Sequence, residues 1–456
     1  MKEYRTERDF IGERKVPAKA YYGIQALRAS ENFRISGSHE HPIMIQSIVE
    51  IKMAAAITNM NAGRLKKDIG EAIVAACREI KSGKLNDQFI VDPVQGGAGT
   101  SLNMNANEVI ANRALEILGE EKGNYRIVHP NDHVNCGQST NDVYPSAGRL
   151  TAIRLLHKCI KELERLHAAW TEKSKQAGDV IELGRTELQD AVPIRFCEVF
   201  HAYGSSVERD IDRFKSAIRA LSVLNMGGTA IGTGITADPD YKEKIVPVLS
   251  ELTGIEFVQA DDMVDATQNA DSLVYVSGIV KSCAVTLSKI AHDIRLLSSG
   301  PRAGFGELRL EPKQNGSSIM PGKVNPVIPE LINEIAFQII GNDTVVTHAA
   351  EAGQLELNAF EPIIFHALFN SLDFLSNGIS AFVTCVDTLA VDERQCRENL
   401  DQSVWLATAI SPYVGYDEAS KYAKRALKEN KKVSEILISE KRFTEDELEK
   451  ILNKSV

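Results

Sequence analysis

Apolar residues recur every three or four positions over long stretches in the middle of this chain, and that rhythm limits its fold more than any other feature. Leu156, Ile160, Leu163, Leu166 and Trp170 step this way. So do Ile211, Phe214, Ile218, Leu221 and Leu224, and Ile364, Leu368, Leu372, Leu375, Ile379 and Phe382. Val280, Ala284, Leu287, Ala291 and Ile294 step 4-3-4-3, a coiled-coil-like seam. A period near 3.6 places each set on one face of a helix. Strand signals are weak in this region. Long helices with apolar stripes must cover them against one another. The predicted fold is therefore mainly α, with a long central helical bundle that can continue across subunits.

The flanks differ from this middle. Residues 1–140 read as a mixed, mainly helical domain, in which short helical stretches such as 69–81 alternate with Gly-rich and Asn-rich loops. The bundle domain covers 141–392. Beyond it the pattern becomes shorter and more charged, and 393–456 reads as a small helical domain. Within it Thr444 and Glu447 form a capping box before Leu448, Ile451 and Leu452. A chain of 456 residues, 43% of them hydrophobic, has ample material for a large core and more than one domain.

The net charge of -10 makes nucleic acid and anionic membranes poor partners. It also sets a condition: an anionic substrate must meet local positive charge and N–H donors that overcome the average field. The seven cysteines are scattered and none has C-x-x-C spacing, which suits reduced thiols in the cytoplasm. The first ten residues are highly charged and lack an apolar leader region. No uninterrupted apolar run approaches the ~18 residues of a membrane span. The expectation is a cytoplasmic protein with no membrane segment.

Chemistry is carried by stretches that break the helical period. They are Gly96 to Asn105 with Thr100, Ser101 and Asn103; Gln138-Ser139-Thr140-Asn141-Asp142; Gly184-Arg185-Thr186-Glu187 with Gln189 and Asp190; and Gly316-Ser317-Ser318-Ile319-Met320-Pro321-Gly322-Lys323-Val324-Asn325-Pro326. Hydroxyl and amide side chains bind a carboxylate without adding charge. The bland reading of any single stretch is a capped helix start or a surface turn. The last stretch says more. Gly316 and Gly322 suit a mobile loop, and a serine pair ahead of a lysine suits a lid carrying a base and an anion clamp. A serine hydroxyl is a poor base unless its alkoxide is stabilised, and a nearby ammonium with convergent backbone N–H groups does that. The histidines, His133 included, lack metal-ligand spacing. Cys136 and Cys197 read as packing residues.

The Ser317-Ser318 loop resembles the signature loop of the fumarase/aspartase superfamily, and the likeness runs through nearly the whole chain. It includes Pro17 to Gly23, Gln95 to Ser101, Asn131 to Asn135, Gln138 to Asp142, Gly184 to Thr186, Leu188 to Pro193, Thr229 to Gly234, Ser299 to Gly304 and Glu351 to Asn358. Arg8 to Gly12, Asp87 to Asp92 and Gly341 to Asp343 favour the aspartate ammonia-lyase branch. The resemblance implies the superfamily's three-domain helical fold and a homotetramer with active sites each built from stretches of three subunits. It implies elimination of ammonia from L-aspartate to give fumarate, with no cofactor and no metal.

By the same resemblance, Ser317 is the general base that takes the Cβ proton. Thr100, Ser139, Thr140 and Ser318 surround the β-carboxylate. Lys323 and Asn325 bind the α-carboxylate with help from Thr186, and Asn141 holds the amino group. Met320 belongs to the substrate-binding set, and Glu330 supports this region, although a first-turn helix acid needs no such role. One position departs from the pattern. Relatives usually carry His or Gln after Gly184-Arg185-Thr186, and this chain has Glu187. Cys197-Glu198-Val199 likewise stands where relatives usually read Gly-Gln-Glu. A carboxylate at 187 repels an α-carboxylate unless paired or protonated. It can instead receive a different amine. An ergothioneine-type lyase and a fumarate hydratase are therefore the alternatives. A silent structural reuse of the fold, as in lens crystallins, stands further off because Ser317, Lys323 and Asn325 are intact.

Overall fold

The periodic apolar sets fold as long helices. The computed structural model describes residues 3–455. A hairpin of β1 (Tyr4–Arg8) and β2 (Glu13–Pro17) precedes α1 (Ile24–Asn32), α2 (Pro42–Asn61), α3 (Lys67–Lys81) and α4 (Thr100–Ile117). Next come α5 (Thr140–Ala177), the hairpin β3 (Ile181–Thr186) and β4 (Gln189–Arg195), and α6 (Phe196–Leu221). They are followed by β5 (Val223–Leu224), α7 (Pro239–Thr253), β6 (Val258–Gln259), α8 (Met263–Gln268), α9 (Asp271–Leu297) and β7 (Leu308–Arg309). The long α10 (Val327–Glu351) and α11 (Glu361–Thr388) lead through β8 (Ala390–Val391) to α12 (Glu393–Gln402), α13 (Trp405–Val414), α14 (Tyr416–Glu429), α15 (Val433–Ser439) and α16 (Glu445–Ser455).

Every residue of the stripes is buried except Ile218, which is half-buried. Leu224 is buried too, but from strand β5 and not from a helix. The β3–β4 hairpin is a second departure from a purely helical middle. Its turn residues Glu187 and Leu188 both have positive φ, 53° and 62°, as a two-residue mirror-image turn requires. Glu-Leu lacks the Asn-Gly or Asp-Gly signal of such turns, so periodicity alone does not find it.

The chain forms two compact units. One takes the residues up to Cys159 with Arg213–Lys281 and Gln338–Phe374. There Tyr144 of α5 meets Phe365 of α11 edge to face at 5.8 Å. A Cβ on Gly148 would sit 2.2 Å from that Phe365 ring, so only glycine lets the two helices approach there. The other unit takes Ile160–Asp212, Ser282–Phe337 and the residues from Leu375 on. Its centre is Trp170 of α5, packed on Phe200 and Tyr203 of α6 and on Phe382 of α11 at 5.5, 5.1 and 6.2 Å. Within this unit Leu400, Trp405, Ile410, Tyr422, Leu437 and Leu452 make a C-terminal core that also takes in Leu183 of β3. The capping box is formed: Glu447 accepts from the Thr444 amide at 2.8 Å, and Thr444 Oγ1 accepts from the Glu447 amide at 3.3 Å.

Helices α2 and α9 are long and apolar enough to cross a membrane by length and composition. The apolar window of α2 is 78% buried inside the protein, as a core helix is, and that of α9 is 56% buried. Helices α9, α10 and α11 leave Tyr275, Val285, Leu331, Phe337, Ile340, Val345 and Phe374 exposed.

Candidate active site

In the first unit two helix starts lie side by side. Helix α4 begins at Thr100 behind Gly99, whose φ of 85° is left-handed. A Cβ on Gly99 would strike the ring of Tyr144, in the second turn of α5, at 2.2 Å, so this glycine permits the approach. Asn103 Nδ2 donates to Thr140 Oγ1 at 3.0 Å and joins the two first turns. Thr100 is exposed, Ser139 and Asn141 are half-buried, and Thr140 is 9% exposed.

The capped-helix reading of Ser139 to Asp142 holds. Ser139 Oγ accepts from the Asn141 amide at 3.2 Å, and Asp142 Oδ1 accepts from the Ser139 amide at 2.9 Å, which is a reciprocal helix cap. Asp142 Oδ2 also accepts from the amides of Gly227 and Thr229 at 3.1 and 3.2 Å. Burial pushes the pKa of Asp142 up to about 6, against the pull of these three N–H groups. Asn141 Nδ2 donates to the Ala230 carbonyl at 2.7 Å, which leaves Oδ1 as the amide's acceptor. A cap that holds its backbone this firmly also presents its remaining hydroxyl and amide groups in fixed positions.

Under these turns lies a residue that the sequence reading passed over. Lys52 of α2 is fully buried, and its ammonium donates to Asn135 Oδ1 at 2.7 Å and Gln138 Oε1 at 2.9 Å. Burial pulls its pKa down to about 7, and Asp142 resists that shift. A signal existed: Lys52 stands in the apolar run Ile51-Lys52-Met53-Ala54-Ala55-Ala56, on a helix buried nearly all round.

In the second unit the Ser317 loop runs between β7 and α10. Its base is closed. The Gly316 amide donates to the Lys323 carbonyl at 2.8 Å, and Asn325 Nδ2 donates to the Gly316 carbonyl at 3.1 Å. A Cβ on Gly316 would lie 2.7 Å from the Lys323 oxygen, so glycine here permits that close approach. Gly322, with φ 82°, makes the turn. Ser318, Met320 and Lys323 are exposed, and Ile319 at the tip is 83% exposed. Ser317 is half-buried, and its Oγ accepts from the backbone amides of Ile319 and Met320 at 3.2 and 3.0 Å. Two N–H dipoles therefore already point at the oxygen that would carry charge as an alkoxide.

Beneath the loop, a cavity of about 800 Å³ is lined by Lys323 and Asn325 with His292, Arg295, Ser298 and Ser299. Its cations are of the sign an anion needs. Glu330, half-buried, lies in the first turn of α10, where the helix dipole favours an acid in any case. Thr186 and Glu187 are exposed at the β3–β4 turn. Among the described residues no group of three or more His, Cys, Asp or Glu side chains is placed to hold a metal ion. All seven cysteines are free.

A family described as Lyase matches residues 12–341, and the C-terminal region described as Fumarase C C-terminus matches 406–455; the chain belongs to this fumarase/aspartase superfamily. It is 49% identical to an aspartate ammonia-lyase of Bacillus subtilis over 99% of this chain and 96% of that one. With an aspartate ammonia-lyase of Helicobacter pylori it shares 46% over 98% and 96%. Among solved structures, a fumarate lyase:delta crystallin from Brucella melitensis bound to cobalt superposes with a TM-score of 0.96 at 47% identity, covering 99% of this chain and 98% of that one. A class II fumarase from Schistosoma mansoni superposes at 0.94 with 34% identity, covering 98% of each chain.

Proposed function

We propose that this chain is an aspartate ammonia-lyase, a carbon–nitrogen lyase that eliminates ammonia from L-aspartate to give fumarate, reversibly. The observation that carries the mechanism is the pair of backbone amides on Ser317 Oγ. The Cβ proton of aspartate is hard to remove, because the electrons left behind enter a group that is already a carboxylate. The resulting aci-carboxylate holds two negative charges. Catalysis means stabilising that dianion more than the ground state.

Ser317 Oγ takes the proton as the Cβ–H bond breaks, and its own charge is held beforehand by the Ile319 and Met320 amides. Thr100, Ser139, Thr140 and Ser318 donate to the aci-carboxylate. Lys323 and Asn325, with Thr186, hold the α-carboxylate, and Met320 contributes to the loop's contact with the substrate. Asn141 Oδ1 accepts from the amino group. Collapse of the aci-carboxylate forms the carbon–carbon double bond, and the C–N bond breaks with its electron pair going to nitrogen. No step calls for a cofactor. Glu330 supports the Lys323 region.

This reading includes a homotetramer whose sites are each assembled from stretches of three subunits. The exposed apolar residues on α9, α10 and α11 support it, since a shared helical bundle covers such residues. It retains the division into 1–140, 141–392 and 393–456. Free cysteines suit the cytoplasm. Following growth of the conjugated dicarboxylate's absorbance with ammonia measured in parallel tests the function, and fumarate formed from malate and not from aspartate would overturn it. Sedimentation of a fully active monomer would overturn the assembly. Glu187, exposed at its turn, favours one second reading, a superfamily lyase acting on another amine.

A further inference from the structure

Lys52 has no salt-bridge partner among the described residues, and its ammonium goes to two neutral amide oxygens. Asn135 Oδ1, the nearer of them, also accepts from Asn103 Nδ2 at 3.3 Å and Asn107 Nδ2 at 3.2 Å. Asn103 Nδ2 in turn donates to Thr140 Oγ1 at 3.0 Å. A buried cation is therefore joined to a candidate substrate hydroxyl by an unbroken run of amides. Because Thr140 Oγ1 accepts from Asn103, its own proton is free to point at a ligand. The charged and titratable groups that act on Lys52 are Asp142 and Cys77. Burial pushes the Cys77 thiol up to about 12, so it stays neutral. Asp142 spends its oxygens on three backbone amides.

We propose that Lys52 is a positioning residue for the elimination: through Asn135 and Asn103 it fixes the Thr140 hydroxyl as a donor, and it supplies a buried positive field that favours the second negative charge of the aci-carboxylate. A cation in a low-dielectric interior acts most strongly on charge that appears only in the transition state. A purely structural lysine, tying α2 to the 135–138 turn, favours no charge state of the ligand. This inference rests on the proposed function.

The test compares two probes on Lys52→Met. One is succinate, whose carboxylates each carry one negative charge. The other is the nitronate form of 3-nitropropionate, whose terminal group puts a full formal negative charge on each of its two oxygens, balanced by a positive nitrogen, where a carboxylate shares one charge between them. Lys52→Met is expected to weaken nitronate binding about tenfold or more and succinate binding less than about threefold, and to lower kcat far more than it raises KM. Equal weakening of both probes, or of neither, overturns the inference. If Lys52→Met does not fold, Asn103→Ala breaks the same run with Lys52 in place. It is expected to give the same split in smaller measure, and its absence overturns the inference equally. Wild-type protein that releases no fumarate from aspartate defeats the function itself. An active wild type without the split defeats only the role of Lys52.

Discussion

Arg185 sets its two terminal guanidinium nitrogens on the two carboxylate oxygens of Glu307, at 2.8 and 2.9 Å. Glu307 is fully buried, and Arg185 lies over the Phe305 ring with its guanidinium carbon 4.2 Å from the centroid. Asn399 of α12 completes the arrangement by donating to Glu307 at 2.9 Å. Thr186 and Glu187 follow Arg185 directly, so this pair anchors the turn that presents them. Removing one partner leaves the other charge buried alone. Glu307→Ala is expected to cost about 3–5 kcal/mol, read as a clear fall in the melting temperature. A variant that melts with the parent would show that the pair anchors nothing.

Ser317→Ala removes the oxygen on which the Ile319 and Met320 amides converge. Turnover of aspartate is expected to fall by at least about a hundredfold while succinate still binds, because the lost group acts in the chemical step. Retention of near-parental kcat would assign the base elsewhere.

Lys323→Ala removes an exposed ammonium from the loop over the 292–299 cavity. A hydrogen bond to a charged group is worth about 1.5–3 kcal/mol, so KM is expected to rise roughly 10- to 150-fold with a smaller change in kcat. An unchanged KM contradicts its place on the α-carboxylate.

Glu187→Gln separates two chemistries with opposite signs. If the acid only replaces a neutral hydrogen-bonding side chain, the change keeps the shape, removes a negative charge near the α-carboxylate, and preserves or improves aspartate deamination. We expect this outcome, because Lys323, Asn325, Thr100, Ser139 and Thr140 are all present. A large rise in the KM for aspartate would mean that the acid receives the substrate's cation.

Stability should depend on pH through buried carboxyls. Burial raises Glu182 and Glu361 to about 8, Glu40 and Glu108 to about 7, and Asp142 to about 6. A carboxyl with a raised folded pKa binds its proton more tightly when folded. Its contribution is therefore full below the unfolded value and is lost as pH rises through the folded one. Lys52 acts in the opposite sense above about pH 7, since its folded pKa is depressed. Glu182 isolates one carboxyl: it is 5% exposed, its Oε2 has no hydrogen-bond partner, and Glu307 raises it further. Glu182→Gln is expected to match the parent near pH 4 and to exceed it by on the order of 2–4 kcal/mol near pH 8.5. Equal stabilities at both pH values would place the proton elsewhere.

Sequence alone determined the long helices and the superfamily's signature loop at Ser317. Helical stripes are legible because a 3.6-residue period is a local property, and Leu163, Leu287 and Ile379 are buried as their spacing requires. The Ser317 loop is legible because its residues are contiguous. The β3–β4 turn was not, since Glu187 and Leu188 take left-handed backbone without glycine or asparagine to announce it. Nor was the tightness of Gly316, whose need for glycine arises from a carbonyl seven residues on. Lys52 and Glu307 were least legible of all. A buried charge is tolerated only where partners distant in sequence converge on it. Asn135 lies 83 residues from Lys52, and Arg185 lies 122 residues from Glu307. Only the tertiary fold brings those partners within hydrogen-bonding distance.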